Sequence, residues 1–271
     1  MKKIILLICA TTLFVACSSS SDDAPVPTPT PPTPPTQSTD VLLSRFETTR
    51  YGNYFENFTY NGNKLVKTNR PGNVEVKFTY TGNLITLSEN FKNNVLATNV
   101  VSTYDFANEK ISETFQTDFF ATSAKRLKTK LFFPNSQGIT EFQLLDVNSS
   151  GGETLKATGS LTIVNGNLIK YTYTSIEYNE VVNYTYDTKK NARRNITGFN
   201  NILLLSEELS LNNVLTTNEI RNNTSGGTPT QTITNTNFTY IYNSNNYPVS
   251  STGSETVNGG TATAFTTNYF Y

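Results

Sequence analysis

Side chains alternate between apolar and polar along most of this chain, and that period of two residues decides what it can fold into. In VEVKFTYT (74–81), Val74, Val76, Phe78 and Tyr80 share one face, while Glu75, Lys77, Thr79 and Thr81 share the other. IKYTYTS (169–175) sets Ile169, Tyr171 and Tyr173 against Lys170, Thr172 and Thr174, and NFTYIYN (237–243) groups Phe238, Tyr240 and Tyr242. Successive side chains of a strand point to opposite faces. Each segment therefore reads as an antiparallel strand with one apolar-aromatic face and one solvated face. No stretch of about a dozen residues holds the 3.6-residue period of a helix. The best exception is FNNILLLSEELS (199–210), which suits a helical turn or, through its LLL run, a buried strand.

Turn signals recur along the chain. A strand ends in an aromatic, an Asn/Gly turn follows, and an apolar residue reopens the next strand. YNGNKL (60–65), YTGNL (80–84) and VNGNLI (164–169) are the clearest cases. YDFANEKI (104–111), FPNSQGI (133–139) and YNSNNYPV (242–249) are looser ones. Asn-Gly accepts the positive φ values of a tight hairpin. The interval is roughly two strands per unit, a weak internal repeat of hairpins. It predicts an all-β antiparallel meander of about 14–16 strands. So many strands do not stay one flat sheet, so the meander is expected to be strongly curved or barrel-like.

The N-terminus carries an address. Lys2 and Lys3 precede an apolar run from Ile4 to Val15, then Ala16 and Cys17. A helix over that run spans roughly 18 Å, against a bilayer core of about 30 Å. The order of charge, apolar run and small residue is that of a cleaved signal peptide, assigned to residues 1–16. LFVAC, ending at Cys17, resembles a lipobox, with Phe14 bulkier than usual. Cys17 is then the lipidation site and the membrane partner of the chain, two or three acyl chains giving stable anchoring. Residues 17–40 form the linker. Its SSSSDD (18–23) resembles the export tag of surface lipoproteins in Bacteroidota. PVPTPTPPTPPT (25–36) lacks most N–H donors and reads as extended polyproline II, roughly 40 Å long. The expected location is the outer membrane, lipid-anchored and surface-exposed, with a periplasm-facing orientation as the alternative.

Residues 41–271 are long enough for one large β domain or two small ones. The chain holds 21 basic and 21 acidic residues, a balance that argues against broad binding of nucleic acid. It has no histidine and no tryptophan, and its second cysteine, Cys9, lies in the cleaved peptide. Ser-His-Asp and Cys-His catalysis and histidine-ligated metals are thereby excluded, and no cofactor or metal is expected. The outward rows of Thr, Lys, Glu and Asn also argue against a membrane-spanning barrel, whose outer band is apolar.

Several local patterns have the residue types of a site. DVNSSGGE (146–153) spaces Asp146, Asn148 and Ser150 like a calcium loop, but its twelfth position is Ala157, so it reads as a hairpin loop. Lys125, Arg126, Lys128 and Lys130, with Lys189, Lys190, Arg193 and Arg194, would make an anion patch if folded together. Glu207 and Glu208, and Asp105, Glu109 and Glu113, are the carboxylates a glycoside hydrolase would need in a pair. The tyrosines and phenylalanines remain. Phe78, Tyr80, Tyr171, Tyr173, Phe238, Tyr240 and Tyr242 either fill a dry core or line a groove that binds ligand.

The hairpin layout resembles the tyrosine-aspartate repeats of bacterial surface proteins, with an irregular period. YTYDTKKNARRNITGFNNILLL (184–205), LNNV (211–214) and YIYNSNNYPVSS (240–251) resemble a family of Bacteroidota lipoproteins with a domain of unknown function described as porin-like. A proline commonly follows KKN in that family, where this chain has Ala192. The resemblance implies a strongly curved all-β sheet and no activity. The expected function is a non-enzymatic surface lipoprotein that binds a glycan, peptide or partner protein, or acts as a scaffold. A carrier of a lipid or apolar ligand and a carboxylate-based hydrolase are the alternatives.

Overall fold

The alternation closes on itself. A computed structural model describes residues 41–105, 109–119, 125–132, 134–135, 138–202, 210–225 and 230–271, and its sixteen antiparallel strands form one closed barrel. The first four strands are β1 (Arg45–Thr48), β2 (Tyr54–Asn61), β3 (Lys64–Arg70) and β4 (Val74–Thr81). Then come β5 (Leu84–Lys92), β6 (Val95–Asp105), β7 (Lys110–Asp118) and β8 (Lys125–Leu131). The second half holds β9 (Ile139–Val147), β10 (Glu153–Val164), β11 (Asn167–Ser175) and β12 (Tyr178–Tyr186). After a long connection come β13 (Val214–Asn223), β14 (Thr230–Tyr242), β15 (Pro248–Val257) and β16 (Thr263–Phe270). Each strand pairs with its sequence neighbours, and β1 closes on β16 from Arg45↔Phe270 to Thr48↔Thr267. Closure leaves no unpaired edge. The expected meander of 14–16 strands is thus a sixteen-strand barrel. The signal peptide, Cys17 and the linker lie outside the described residues, as do Glu207 and Glu208.

The apolar-aromatic rows face the lumen. Phe58, Val76, Phe142, Leu161, Val182 and Phe265 are buried there. The opposite rows are exposed: Lys77, Thr79, Thr103, Glu141, Asn183, Thr185, Asn237, Thr239, Thr252 and Thr266. A bilayer-spanning barrel presents an outward apolar band about 25 Å tall. This wall presents mainly Thr, Asn, Lys and Glu, with exposed apolar residues such as Val66, Val101, Leu155, Ile169, Ile241 and Val249 scattered among them.

The aromatic-turn-apolar repeat has a mechanical meaning. The start of β1, the end of β16 and the turns that follow each even-numbered strand gather at one mouth. There the pairing slips by one residue at Thr59/Tyr60, Thr79/Tyr80, Thr103/Tyr104, Thr185/Tyr186 and Ile241/Tyr242. Such bulges bend a strand and sharpen its twist, which helps the sheet close. Several of the tyrosines beside them reach back along the wall. Tyr60 donates to the Leu43 carbonyl at 2.7 Å, Tyr104 to Ile85 at 2.8 Å and Tyr186 to Leu168 at 2.7 Å. Tyr80 instead accepts the Leu65 N–H at 3.1 Å. Burial pushes the Tyr80 and Tyr104 hydroxyls up to about 12, so they stay protonated. Each staple ties a strand end to the neighbouring hairpin. Tyr104→Phe keeps the ring and removes one staple, and is expected to cost about 1 kcal/mol. Urea unfolding of that variant, with an unchanged m-value, is the check.

The described parts of the connection between β12 and β13, residues 187–202 and 210–213, close this mouth as a cap. Its backbone bonds to the turns beneath it: Thr197 N–H to Asn63 O at 2.9 Å, Leu211 N–H to Gly166 O at 3.2 Å, and Lys190 N–H to Asn246 O at 3.1 Å. Asn201 Nδ2 donates to the Glu109 carbonyl at 2.8 Å, and Asn195 Nδ2 to Val41 at 3.0 Å. Asp187 latches the base, accepting the N–H groups of Lys189 and Asn213 and the hydroxyl of Tyr242. Gly198 lies at φ 76°, and an added Cβ would fall 2.4 Å from the Asn83 carbonyl, so only glycine fits. Ala192 and Ile196 reach inward and join Leu43, Phe58 and Leu65 in a buried cluster. Of FNNILLLSEELS, Phe199–Asn201 forms a single 3₁₀ turn, and 203–209 lie outside the described residues.

Candidate functional site

Beneath the cap the lumen is not filled. A cavity of about 410 Å³ runs from the β1–β2 turn, at the opposite mouth, to the cap. Asn191, Ala192, Arg193, Asn213 and Val214 form its floor. Phe46 and Thr48 of β1, Tyr54 and Glu56 of β2 and Arg70 of β3 make one wall. Phe238 and Tyr240 of β14, Ser251 of β15, and Phe265, Thr267 and Tyr269 of β16 make the other. Arg50 and Tyr51 stand at the entrance.

Two charge clusters are set among these rings. Arg70 Nε meets Glu56 Oε1 at 2.6 Å, and Arg193 of the cap lies 3.6 Å from Glu56 Oε2. The Glu56 side chain is 5% exposed, so its charge is held by these two guanidiniums and little water. Arg193 also lies over the Phe46 and Phe58 rings, 4.9 and 5.7 Å from their centres. At the entrance Arg50 meets Glu255 at 2.6 Å and lies 5.0 Å from the centre of Phe265. Phe265 can lie on the wall because Gly253 faces it across the strand pair. A Cβ there would fall 2.1 Å from the ring.

A third cluster faces the lumen farther round the wall. Arg221 of β13 donates twice to Glu180 Oε1, at 2.9 and 2.5 Å, above the Tyr178 ring. Glu219 lies 3.8 Å from the same guanidinium. Burial first, then its hydrogen bond and charge contact with Glu180, push the Glu219 carboxyl above its usual 4.5. The unfolded chain loses that proton at lower pH than the folded barrel does. The folded state therefore binds more protons in the interval, and stability falls as pH rises through it. Glu219→Gln is expected to flatten this fall, as read by melting temperature across roughly pH 4–7.

The expected aromatic residues all face inward, but the structure does not gather them into one groove. Phe238 and Tyr240 line the cavity. Phe78 packs against the cluster under the cap, and Tyr171 and Tyr173 pack against Phe142, Leu161 and Leu168. The Tyr80 and Tyr242 hydroxyls are engaged by the Leu65 N–H and Asp187. Ile169 does not share the inner row with Tyr171. The pairing slips at Thr162/Ile163, and Ile169 is exposed. The basic segments are also separated. Lys128 and Lys130 bind Glu153 on the outer wall, whereas Arg193 turns into the lumen toward Glu56. In DVNSSGGE, Asn148 Oδ1 accepts the Ser150 and Gly152 N–H groups, closing the β9–β10 hairpin. Glu56, Arg70 and Glu255 were not anticipated. Their signal was legible, since Glu56 is in phase with Tyr54, Phe58 and Tyr60 on an otherwise apolar face.

No family model matches the sequence, and no curated protein matches it. Solved structures do. A crystal structure described as a porin-like protein from Bacteroides vulgatus ATCC 8482 is similar over 86% of this chain and 99% of its own, at 12% identity and a TM-score of 0.53. A second porin-like protein, from Bacteroides uniformis ATCC 8492, is similar over 84% of this chain and 97% of its own, at 10% identity and a TM-score of 0.47. At 12% identity, the likeness to the first is one of fold: a porin-like barrel.

Proposed function

We propose that this chain is a lipid-anchored, non-enzymatic binding module of the outer membrane, displayed at the cell surface, with the capped luminal cavity as its ligand site. The observation that carries the reading is the cavity itself. About 410 Å³ stays open inside the barrel, lined by aromatic rings and paired charges. Pockets of this size with convergent polar groups are the usual form of a small-ligand site. The outward polar wall suits a domain held in water beside a membrane. The chain joins β1 at the capped mouth, and the cavity opens at the other. The lipobox at Cys17 supplies the anchor, and the resemblance to Bacteroidota lipoproteins supports the location.

A carrier of an apolar ligand is the second reading. A further cavity of about 390 Å³ at the cap edge supports it, lined by Ile111, Leu131, Leu161, Ile163 and Ile202. Orientation separates the two. Protease shaving of intact cells removes a surface module and spares a periplasm-facing carrier. Cys17→Ser is expected to move the protein from the membrane fraction to a soluble or unprocessed form. Wild-type protein without acyl mass on its N-terminal peptide would end the anchoring proposal.

A further inference from the structure

We infer that one corner of the capped end, where β14, β15 and β16 meet the point at which the chain enters the barrel, docks on the bilayer that holds the lipid anchor. The inference rests on the anchoring reading. It adds a docking surface, and with it the direction in which the cavity opens: away from the membrane.

Exposed apolar side chains standing singly on a protein surface are ordinary. At this corner they are neighbours. Ile241 of β14 and Phe270 of β16 point outward, because the residues before them, Tyr240 and Tyr269, line the cavity. Val249 is the extra residue of the bulge between β14 and β15, with Pro248 paired to Tyr242 and Ser250 paired to Ile241. Tyr271 follows Phe270, its hydroxyl donating to the Pro248 carbonyl at 2.9 Å. Ile241 is 65% exposed, Phe270 44%, Tyr271 38% and Val249 37%. β14, β15 and β16 are adjacent, so the strip spans about 10 Å across the strands. A protein partner needs about 800 Å² on each side, wider than four side chains supply.

Two further observations point to lipid as the occupant. The first is the charge beside the strip. Lys189 Nζ donates to Asn246 Oδ1 at 2.8 Å, and Lys190 lies 4.9 Å from the centre of the Tyr247 ring, so the cap sets both cations on the β14–β15 turn. Lys190 and Arg194 are exposed. Apolar and aromatic side chains flanked by long cationic ones suit the headgroup boundary, where the apolar groups meet acyl chains and the cations meet phosphates. The second is where the chain arrives. Asn195 Nδ2 donates to the Val41 carbonyl at 3.0 Å and to the Tyr247 hydroxyl at 2.7 Å, so the chain enters the barrel beside this same turn. Residues 18–40 separate Val41 from Cys17. They can span at most about 80 Å. The anchor therefore keeps the corner within reach of its own bilayer. Docking is intramolecular, at the millimolar effective concentration of a short tether, so a strip too small to bind a membrane unaided suffices.

The chain has no tryptophan, so a single one placed in it reports alone. The lipidated protein is reconstituted in vesicles of phosphatidylethanolamine and phosphatidylglycerol, with Ile241→Trp in one preparation and Ile176→Trp in another. Ile176 is 90% exposed in the β11–β12 turn at the opposite mouth. Ile241→Trp is expected to emit at shorter wavelength and to be quenched about twofold by brominated acyl chains, whereas Ile176→Trp is expected to stay water-like. Lys190→Glu with Arg194→Glu should return Ile241→Trp to water-like emission. Val249→Trp serves if Ile241→Trp does not fold. Protein that floats with the vesicles while Ile241→Trp stays water-like overturns the inference and leaves the anchor standing. Equal quenching at the two positions overturns it, since either end then meets lipid. A shift to shorter wavelength without quenching also overturns it, because a second copy of the chain then covers the strip. Protein that does not float at all ends the anchoring reading and the inference with it.

Discussion

Glu56→Ala is expected to destabilise the barrel by about 3 kcal/mol, toward the lower end of the cost of breaking a buried ion pair. The carboxylate is 5% exposed and stands between two guanidiniums, Arg70 on the wall and Arg193 on the cap. Its removal leaves two like charges facing each other under the floor. Arg70 is 36% exposed and can recover water, which keeps the loss from being larger. Arg193 is 12% exposed and cannot do so without lifting the cap from Phe46 and Phe58. Two readouts follow. Urea unfolding should show the lower stability, and amide exchange should show faster opening of residues 187–202 than of the wall strands. Replacing Arg193 by Met in the same background should recover much of the loss, because it removes one of the two like charges. A Glu56→Ala protein of wild-type stability would mean that the carboxylate does not join cap to wall.

The barrel was more legible in the sequence than the cavity was, and the reason is physical. Period-two rows such as Val76, Phe78 and Tyr80 state which face is buried, and repeated turns state that neighbours pair with neighbours. Together they leave closure or strong curvature as the outcome for so many strands. Whether buried rings pack or line a cavity depends on what crosses the lumen. Here that is the cap, whose geometry is set by contacts such as Thr197 with Asn63 and Leu211 with Gly166. Local periodicity contains nothing about these. The bulges were hidden for a different reason. A single extra residue, as at Ile169, breaks the phase without changing composition. The charged residues were visible but undervalued. Glu56 on an apolar strand face has to be paired, and its partners lie on β3 and the cap. Tyr80 and Tyr242 read as ligand groups from their strand rows, yet Tyr80 stands beside a turn in the same place as Tyr60, Tyr104 and Tyr186. Their hydroxyls at Leu43, Leu65, Ile85 and Leu168 show that the repeat builds the mouth of the barrel.

Two glycines opposite two phenylalanines separate stability from function. Phe142 lies over Gly159 and Phe265 over Gly253, each across one strand pair. At Gly159 an added Cβ meets the Thr172 carbonyl at 2.2 Å as well as the Phe142 ring at 2.3 Å. The carbonyl belongs to the next strand and cannot swing aside, and Phe142 is 3% exposed in its own cluster. Gly159→Ala therefore forces the sheet apart, and a loss of about 3 kcal/mol is expected, at the top of the range for overpacking. At Gly253 the nearest atoms within reach of a new Cβ are the outer carbons of Phe265, at 2.1 and 2.2 Å, and no backbone atom is among the closest three. The ring can tilt, and the empty space it can tilt into is the cavity that it lines. Gly253→Ala should thus cost less, about 1 kcal/mol, at the lower end of the same range, yet reduce the cavity. The expected pattern is a large fall in melting temperature with Gly159→Ala. Gly253→Ala should show a small fall joined to loss of whatever ligand the cavity holds. Equal destabilisation by the two would show that Phe265 is locked as firmly as Phe142, and that the cavity wall is rigid core.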